Sequence, residues 1–435
     1  MMMNRYLLIL LFSLLTASTQ IPAPPQSTPI LISGGTIHTI SGGAVTGFDI
    51  LIEGGIISEI GTGIEISPGT EIIKAEGKHI YPGLISAGSS LGLQEINAVR
   101  STRDYAEVGS VNPNVRANVS YHPDSELIPV ARSNGILLAN VIPKSGRVPG
   151  TSSLMMLDGW TWEDCTMKHP VGVHLNWPSM DIQSGWWNKN SPKEQKKNRS
   201  KALIEIEELF RDARAYASLN PTSPGFKHDR KLEAFKPVLN GEIPLFVQAN
   251  TVRQIEFAVN WADENNLKIV IFGGKDAWRT TDLLAEKNVP VIYESVLSTP
   301  LRRFEDYDQA YKTPRILLNA GVKFCISTSS SSFQTPHLRD LPYHAAMASS
   351  FGLPRDEALR SITLTVAEIL GIDDKVGSIE MGKDATLFIA DGDILEIPTL
   401  VESAFIQGRK IDLSDRHKML YQKYTEKYRQ KGILE

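Results

Sequence analysis

The sequence predicts an α/β protein in which a (β/α)8 TIM barrel is joined to a small, discontinuous β-sandwich. Short Ile- and Val-rich runs, broken by Gly-Gly, Pro-Gly and Ser-Gly turns, fill residues 28–80 and return at 377–411, a pattern typical of β-sheet. Between them, apolar runs alternate with amphipathic helical stretches, as a parallel βα barrel requires. We therefore expect a composite sandwich domain made from both ends of the chain and a barrel domain over residues 81–376.

The chain begins with the pattern of a secretory signal peptide. Arg5 precedes an apolar run over residues 6–15, and the small residues Ala17 and Thr19 would suit cleavage at this point. The apolar run is too short to span a bilayer comfortably. We therefore expect a signal peptide over residues 1–19, export to a periplasm or the outside, and no stable membrane span after cleavage. A retained N-terminal anchor is the alternative.

Within the barrel segment, apolar runs mark the clearest strands, and a long polar segment interrupts the repeat. The polar segment, residues 91–132, follows the first strand. Its aromatic and proline content favours an ordered lid over the barrel mouth, with a disordered loop as the alternative. Residues 412–435 are predicted to form a C-terminal helix that begins near residues 413–416. The clearest barrel strands are predicted at 135–142, 243–247, 268–272 and 290–293.

Composition excludes some classes of partner. The 435 residues are 42% hydrophobic and 22% charged, which is typical of a soluble globular protein. A net charge of −4 gives no drive toward nucleic acid, so we predict no nucleic-acid partner. Cys165 and Cys325 would meet an oxidising compartment after export, which raises the question of a disulfide. Cys325 sits in an apolar run where cysteine is commonly a small core residue, and the pairing stays open.

Segments near both ends of the chain carry a family resemblance. They are residues 32–37 (Ile-Ser-Gly-Gly-Thr-Ile), 82–85 (Pro-Gly-Leu-Ile) and 377–385 (Gly-Ser-Ile-Glu-Met-Gly-Lys-Asp-Ala). By these segments the chain resembles the amidohydrolase superfamily, and within it the imidazolonepropionase-related proteins, over about residues 31–409. The resemblance implies a metal-dependent-hydrolase-like barrel whose site lies at the C-terminal ends of the strands. It also implies zinc as cofactor and hydrolysis of carbon–nitrogen bonds other than peptide bonds.

The positions that should bind the metal have changed. In the family segment Pro-Gly-Leu-Ile-Asp-x-His-x-His, two histidines stand two residues apart on one strand face; here these positions are Gly88 and Ser90. The resemblance also aligns Gln248 and Gly273 with histidines, and Ser329 with the aspartate that binds metal and moves the proton. Zinc sites need three or four good ligands. We therefore expect a degenerate site with no ordinary two-metal centre and no bound cofactor.

Chemistry without a metal would need other groups at the barrel mouth. Such a reaction requires a base or an activated nucleophile, together with donors for the developing oxyanion. His174 is the best candidate base because it precedes Asn176 near a predicted strand end, although it also fits a structural role. Glu95, Asp158 and Ser329 complete the catalytic candidates. Glu294 is a further carboxylate near a predicted strand end, and each carboxylate could instead order a loop.

Several polar or aromatic residues near predicted strand ends are candidates for ligand binding. In the small-residue turn over 144–153, backbone N–H groups could cradle an anion, with Lys144 or Arg147 adding charge. A tight loop packed under Trp160 and Trp162 is the alternative interpretation. The ligand-binding candidates are Gln248, Asn250, Lys275, Trp177 and Arg147.

Two functions from different classes remain open. By resemblance, the protein is a hydrolase of non-peptide carbon–nitrogen bonds. Alternatively, it is an exported pseudoenzyme that binds a small ligand at the barrel mouth or pairs with an active homologue; a homodimer is also open. If His174, Glu95 and Asp158 surround one cavity, catalysis is favoured, whereas their separation favours binding.

Overall fold

The computed structural model describes residues 20–185, 188–294 and 296–434. The predicted signal peptide, residues 1–19, lies outside the described residues. The α/β class predicted from the sequence is confirmed. None of the helices in the described part of the chain combines the length and hydrophobicity that crossing a bilayer requires.

Strands and helices are numbered in chain order. The strands are β1 (Ile30–Ser33), β2 (Thr36–His38), β3 (Ala44–Thr46), β4 (Asp49–Glu53), β5 (Ile56–Gly61), β6 (Glu71–Lys74), β7 (His79–Pro82), β8 (Leu84–Ser89), β9 (Ile136–Val141), β10 (Gly150–Thr151), β11 (Ser153–Met156), β12 (Thr166–Lys168), β13 (Val173–Asn176), β14 (Leu245–Ala249), β15 (Ile269–Gly273), β16 (Val291–Tyr293), β17 (Phe324–Ile326), β18 (Leu387–Ala390), β19 (Val401–Ile406) and β20 (Arg409–Ile411). The helices are α1 (Leu127–Arg132), α2 (Trp162–Cys165), α3 (Pro192–Ala217), α4 (Arg230–Glu233), α5 (Lys236–Leu239), α6 (Val252–Glu264), α7 (Thr281–Glu286), α8 (Gln309–Asn319), α9 (Leu341–Ser350), α10 (Arg355–Arg360), α11 (Leu364–Leu370) and α12 (Arg416–Gln430).

Strands from both ends of the chain share a sheet. One sheet has the order β5-β4-β1-β6, and another has the order β20-β19-β18-β7-β2-β3. In the second sheet β7 pairs antiparallel with β18, which brings the N-terminal and C-terminal strands side by side. Buried side chains from both segments, among them Ile32, Ile80 and Phe405, form a hydrophobic cluster of their own. Burial of these apolar side chains holds together two β-rich segments that are far apart in the sequence.

The central part of the chain forms two further sheets. Strands β13 to β17 run parallel to one another, as do β8 and β9. Strands β10 and β11, by contrast, are antiparallel to β13 and β9 respectively, which departs from the parallel arrangement expected from the sequence. The chain between β9 and its neighbour β11 covers only residues 142–152, and a parallel neighbour needs a crossover of a dozen or more residues. A short connection therefore forces the reversed direction.

Backbone hydrogen bonds link these two sheets on both sides. The Ser152 N–H donates to the Gly172 carbonyl over 3.0 Å, at the junction of β10 and β11. On the other side, the amides of Ile85 in β8 and Ile326 in β17 donate to the carbonyls of Ile362 and Ser361, each over 3.0 Å. The predicted strands at 135–142, 243–247, 268–272 and 290–293 overlap β9, β14, β15 and β16.

The long polar segment after β8 is ordered by its own backbone bonds. The Asp104 N–H donates to Leu93 O and the His122 N–H to Gly92 O, both over 2.8 Å. Further along, the Lys144 N–H donates to Tyr105 O over 2.6 Å, which joins the segment to the loop after β9. The segment over residues 91–132 therefore reaches the carboxyl end of β9.

The cysteines do not pair with each other, and an aspartate caps the last helix. Cys165 and Cys325 are both buried and both free, so no disulfide joins them. Helix α12 begins after Asp415, whose carboxylate accepts the N–H groups of His417 and Lys418 and so satisfies two exposed helix donors. No side chain of α12 is buried.

Candidate functional site

A polar cavity lies at the carboxyl ends of β14 to β17. Its volume is about 640 Å³, and it is lined by Gln248, Asn250, Lys275, Glu294 and Ser329, among others. Parallel strands end at one edge of a sheet, which brings together residues far apart in sequence. Four residues predicted for the site, Gln248, Asn250, Lys275 and Ser329, therefore share this cavity.

A second, smaller cavity of about 270 Å³ adjoins the first. Lys144, His174 and Asn176 line it, together with Gln248 and Ser330, which also line the larger cavity. We refer to the two cavities together as the mouth. His174 thus reaches the same site as the other predicted residues, but from the smaller cavity.

We call Gly88, Phe272 and Gly273 the floor of the mouth. The resemblance aligns Gly88 and Gly273 with metal-binding histidines, and the space beside both glycines is already filled. A Cβ atom added to Gly88 would lie 2.2 Å from Cζ of Phe272. At Gly273, whose φ is +103°, a Cβ would lie 2.6 Å from Asn250 Oδ1 and 2.7 Å from Gln248 Nε2. No real Cβ sits this close to another heavy atom, so imidazoles at these two positions would overlap the existing side chains.

The donor set is equally unsuited to zinc. In the part of the chain that the structure describes, no group of three or more His, Cys, Asp or Glu side chains could hold a metal ion. Ser90 Oγ is engaged in a hydrogen bond of 3.1 Å with Thr335 Oγ1. The residues present therefore do not fit the two-metal centre that the resemblance implies.

His174 is a buried, neutral imidazole. Its ring stacks on Phe246 at a centroid distance of 4.9 Å and meets the edge of Phe272 at 5.9 Å. Burial lowers the pKa of His174 to about 3, which makes it a weak base at neutral pH. Its Nε2 atom is buried and has no hydrogen-bond partner among the described residues.

Glu294 and Lys144 are two charged residues of the mouth, which Lys275 and Asp340 also line. Glu294 is 8% exposed; its carboxylate accepts the Ser330 N–H and lies 3.4 Å from Gln248 Nε2. Burial raises the pKa of Glu294, while the hydrogen bonds from Ser330 and Gln248 and the charge of Lys144 oppose this change. Burial also lowers the pKa of Lys144 to about 8, against the attraction of Glu294. Lys144 Nζ is buried, lies 5.9 Å from the centroid of the Tyr105 ring, and has no hydrogen-bond partner in the described part of the chain.

Glu294 and Lys144 received less weight from the sequence alone than their burial at the mouth gives them. Glu294 directly follows β16, the apolar run Val291–Tyr293; this position marks it as a carboxylate near a strand end, but it was not placed among the catalytic candidates. Lys144 was considered only as a charge beside a turn. Its importance depends on burial of the ammonium group, which a lysine in a polar stretch of sequence does not reveal.

Asp158 lies at the junction between the central sheets and the composite sheet rather than at the mouth. Its Oδ1 accepts from Arg132 Nη1 over 3.0 Å; its Oδ2 accepts from Ala23 N over 3.0 Å and from Arg409 Nη1 over 2.9 Å. Arg409 belongs to β20, so the carboxylate connects three distant segments. Its position just after β11 resembles a site position in sequence, but the antiparallel direction of β11 sends its end away from the carboxyl ends of β13 to β17.

Glu95 orders the segment after β8. Its carboxylate accepts the Ser125 hydroxyl over 2.5 Å and the Glu126 N–H over 3.1 Å, which closes the segment on itself just before α1. His174, Glu95 and Asp158 therefore belong to three different parts of the molecule. The separation of the three candidates is the outcome that favours binding over catalysis.

Trp177 and Arg147 line a groove beside the mouth. The groove has a volume of about 330 Å³ and runs along the start of α3. Trp177 is buried against Trp261 at a centroid distance of 5.3 Å, and Arg147 donates to the Asn176 carbonyl. Both side chains hold the end of β13 in place, and neither lines the two cavities of the mouth.

Comparison with known proteins agrees with this architecture. Residues 308–410 match the amidohydrolase family model. The structure of an amidohydrolase from Thermotoga maritima MSB8 is similar to the chain with a TM-score of 0.76 and 26% identity, covering 88% of this chain and 99% of that one. The Amidohydrolase tasK of Hapsidospora irregularis is 21% identical over 399 residues, 83% of this chain. This chain spans only 39% of the length of that relative.

A shorter match links the chain to a more specific group. The imidazolonepropionase of Thermoplasma volcanium is 34% identical over 92 residues, which is 21% of this chain and 22% of that protein. Residues 308–410 are therefore similar to the amidohydrolase family, and the sequence and structural neighbours of the chain include amidohydrolases and an imidazolonepropionase.

Proposed function

We propose that the protein binds a small polar ligand at the mouth without a two-metal centre, as a pseudoenzyme related to amidohydrolases. The observation that carries this proposal is the ring of Phe272, which lies within 2.2 Å of the place where a side chain at residue 88 would begin. The floor of the mouth is packed with apolar atoms at the point where a zinc centre needs open space and imidazole ligands. In this proposal, side chains fill the space of the metal centre, and the cavity above it stays open to a ligand.

The chemistry of the mouth suits a polar ligand. Its lining combines amide groups, hydroxyls, Lys275 and Glu294 in about 640 Å³, within the range of small-molecule sites. We further propose that the two central sheets close into a barrel. The hydrogen bonds of Ser361 and Ile362 with β17 and β8 support this closure.

A hydrolase of non-peptide carbon–nitrogen bonds is the second candidate. The likeness to an amidohydrolase structure over 88% of the chain favours it, as does the buried Glu294 beside Lys144. In that case Glu294 would take a proton from the attacking water and return it to the leaving nitrogen as the C–N bond breaks, while Lys144 and the Gln248 amide would face the developing oxyanion. His174, with its pKa near 3, would not act as the base.

Export and partnership are proposals as well. The leader pattern in residues 1–19 is the support for export. Pairing with a second copy or with an active homologue is proposed only from the behaviour expected of a pseudoenzyme.

Metal content tests the proposed function. The mature protein, purified without chelator and again after zinc loading, is expected to contain well below one zinc per chain by elemental analysis. The Gly88→His/Phe272→Ala variant serves as the matched control, since it opens the floor and adds one imidazole. Stoichiometric zinc that is lost in the His174→Phe variant would overturn the proposal and make a reorganised hydrolase the better explanation.

A further inference from the structure

We propose that the smaller cavity of the mouth is a carboxylate subsite in which Lys144 Nζ and His174 Nε2 hold the anionic end of the ligand. The inference rests on the proposed function, because it names the class of ligand that the mouth binds. Lys144 and His174 both line this cavity, and each has a buried polar atom, Nζ and Nε2 respectively, without a hydrogen-bond partner among the described residues.

Lys144 supplies the charge that the ligand must complement. A buried ammonium without an acceptor is costly, and such groups are normally paired. Glu294 is the acidic group whose charge acts on Lys144, but its oxygens already face the Ser330 N–H and the Gln248 amide. The ammonium group of Lys144 therefore still lacks a hydrogen-bond acceptor, and a negatively charged oxygen of the ligand would supply one.

His174 supplies a directional donor. The ring is fixed between Phe246 and Phe272, and it is 7% exposed, so its orientation is set before any ligand arrives. A neutral imidazole with the proton on Nε2 can donate to one carboxylate oxygen while Lys144 donates to the other. Preorganised donors of this kind lower the cost of ordering the site on binding.

The cavity favours a carboxylate over a phosphate. It holds about 270 Å³, with one ammonium and one neutral imidazole as its unpartnered buried donors among the described residues. A phosphate dianion would place a second charge close to Glu294, and like charges in a poorly solvated site repel strongly. A monoanionic carboxylate matches the single positive charge of Lys144.

The rest of the ligand would extend into the larger cavity. Gln248 and Ser330 line both cavities, so they form a continuous passage. Asn250 Oδ1 is another buried acceptor without a partner among the described residues, and it lines the larger cavity. The ligand is therefore a small carboxylic acid whose amide or amine N–H can meet Asn250.

N-acetylglycine is a suitable probe because it carries a carboxylate and an amide N–H on a short chain. Calorimetry of the mature, full-length chain should detect its binding, while N-acetylglycinamide, which lacks the charge, should bind at least about 10-fold more weakly. The Lys144→Met variant should lose about 10-fold in affinity for the acid and nothing for the amide. The His174→Phe variant keeps the ring stacking and should lose roughly 3-fold to 10-fold. Lys201→Met, which removes an exposed lysine that lines neither cavity of the mouth, is the matched control and should retain binding of the acid.

Several results would overturn the subsite. One is equal affinity of Lys144→Met and the unaltered protein for N-acetylglycine, and another is equal affinity of the unaltered protein for the acid and the amide. The others are tighter binding of inorganic phosphate than of the acid, and no binding of the acid at about 50 mM. Zinc is measured on the same samples. Stoichiometric zinc with Lys144-dependent binding would overturn the metal-free function alone, whereas a metal-free protein indifferent to Lys144→Met would overturn the subsite alone.

Discussion

The junction around Asp158 and the mouth both bury charged side chains, and they differ in how completely those charges are paired. At the junction formed by Asp158, Arg132, Arg409 and the Ala23 N–H, both carboxylate oxygens have close donors. At the mouth, Lys144 Nζ has no hydrogen-bond partner in the described part of the chain. Burial alone therefore does not distinguish a structural charge from a binding one. The presence of a counter-ion does: Arg132 lacks a partner at Nε but its Nη1 pairs with Asp158, whereas the Lys144 ammonium has no acceptor among the described residues and leaves a place for a ligand.

The largest effect is expected at the junction. Replacing Asp158 with alanine leaves the guanidinium of Arg132, which is 2% exposed, without its counter-ion. Breaking one partner of a buried ion pair costs about 3–5 kcal/mol of unfolding free energy. Urea unfolding should show this loss, while the Asp181→Ala control, which removes an exposed pair of 3.9 Å with Arg253, should cost less than about 1 kcal/mol. A loss in Asp158→Ala no larger than in the control would mean that the junction is not a structural site.

The floor of the mouth should respond next most strongly. A methyl group added in Gly88→Ala collides with the Phe272 ring at 2.2 Å, and overpacking of this kind typically costs about 1–3 kcal/mol. The same substitution in a Phe272→Leu background should cost less, since the shorter side chain leaves room, and the difference measures the coupling. Gly61→Ala is the control, because nothing lies within 4 Å of its added Cβ. Equal costs in both backgrounds would show that Phe272 does not fill this space.

Lys144→Met should do the opposite of Asp158→Ala and stabilise the protein at neutral pH. The pKa of Lys144 is lowered from 10.5 to about 8 in the folded protein, so folding disfavours its ammonium form. Below pH 8 that penalty is fully present, and it amounts to roughly 3 kcal/mol as an upper bound. Between pH 8 and 10.5 the unfolded chain binds more protons than the folded one, and the penalty disappears as pH rises.

Unfolding free energies of the unaltered protein and of the Lys144→Met variant, measured from pH 7 to 10.5, check this expectation. The advantage of Lys144→Met should be largest at pH 7 and should vanish near pH 10.5. Lys275→Met serves as the control for loss of a cavity lysine. A constant difference across this range, or a variant less stable at pH 7, would mean that the ammonium group is already well paired.

The sequence predicts the positions of the strands better than the fate of the polar residues that follow them. Asp158 after β11 and Glu294 after β16 look alike in sequence, each a carboxylate just past an apolar run. They differ because β11 runs antiparallel to its neighbour, and because Arg409, 251 residues away from Asp158, completes the junction. Neither fact follows from local periodicity, which reports burial and not direction or distant partners.

The proposed loss of the metal site could be predicted only in part from the sequence. Glycine and serine at residues 88 and 90 indicate missing ligands, because both are visible in a single aligned segment. The packing of Phe272 against Gly88 could not be foreseen, since it joins two strands that are far apart in the chain. Which side chain fills a vacated volume depends on tertiary packing rather than on local sequence.

The smallest effect is expected from Glu294→Gln, and it tests whether the two charges at the mouth sense each other. The amide keeps the shape of the carboxylate, so stability should change by no more than about 1 kcal/mol. Glu294 raises the pKa of Lys144 by its charge, and removing that charge should lower the Lys144 pKa below about 8. Lys144→Met should therefore raise the unfolding free energy in the Glu294→Gln background as well. This gain should begin to shrink at a lower pH there than it does with Glu294 in place. An unchanged midpoint would mean that Lys144 is isolated from Glu294, and a ligand carboxylate would then be the sole anion within its reach.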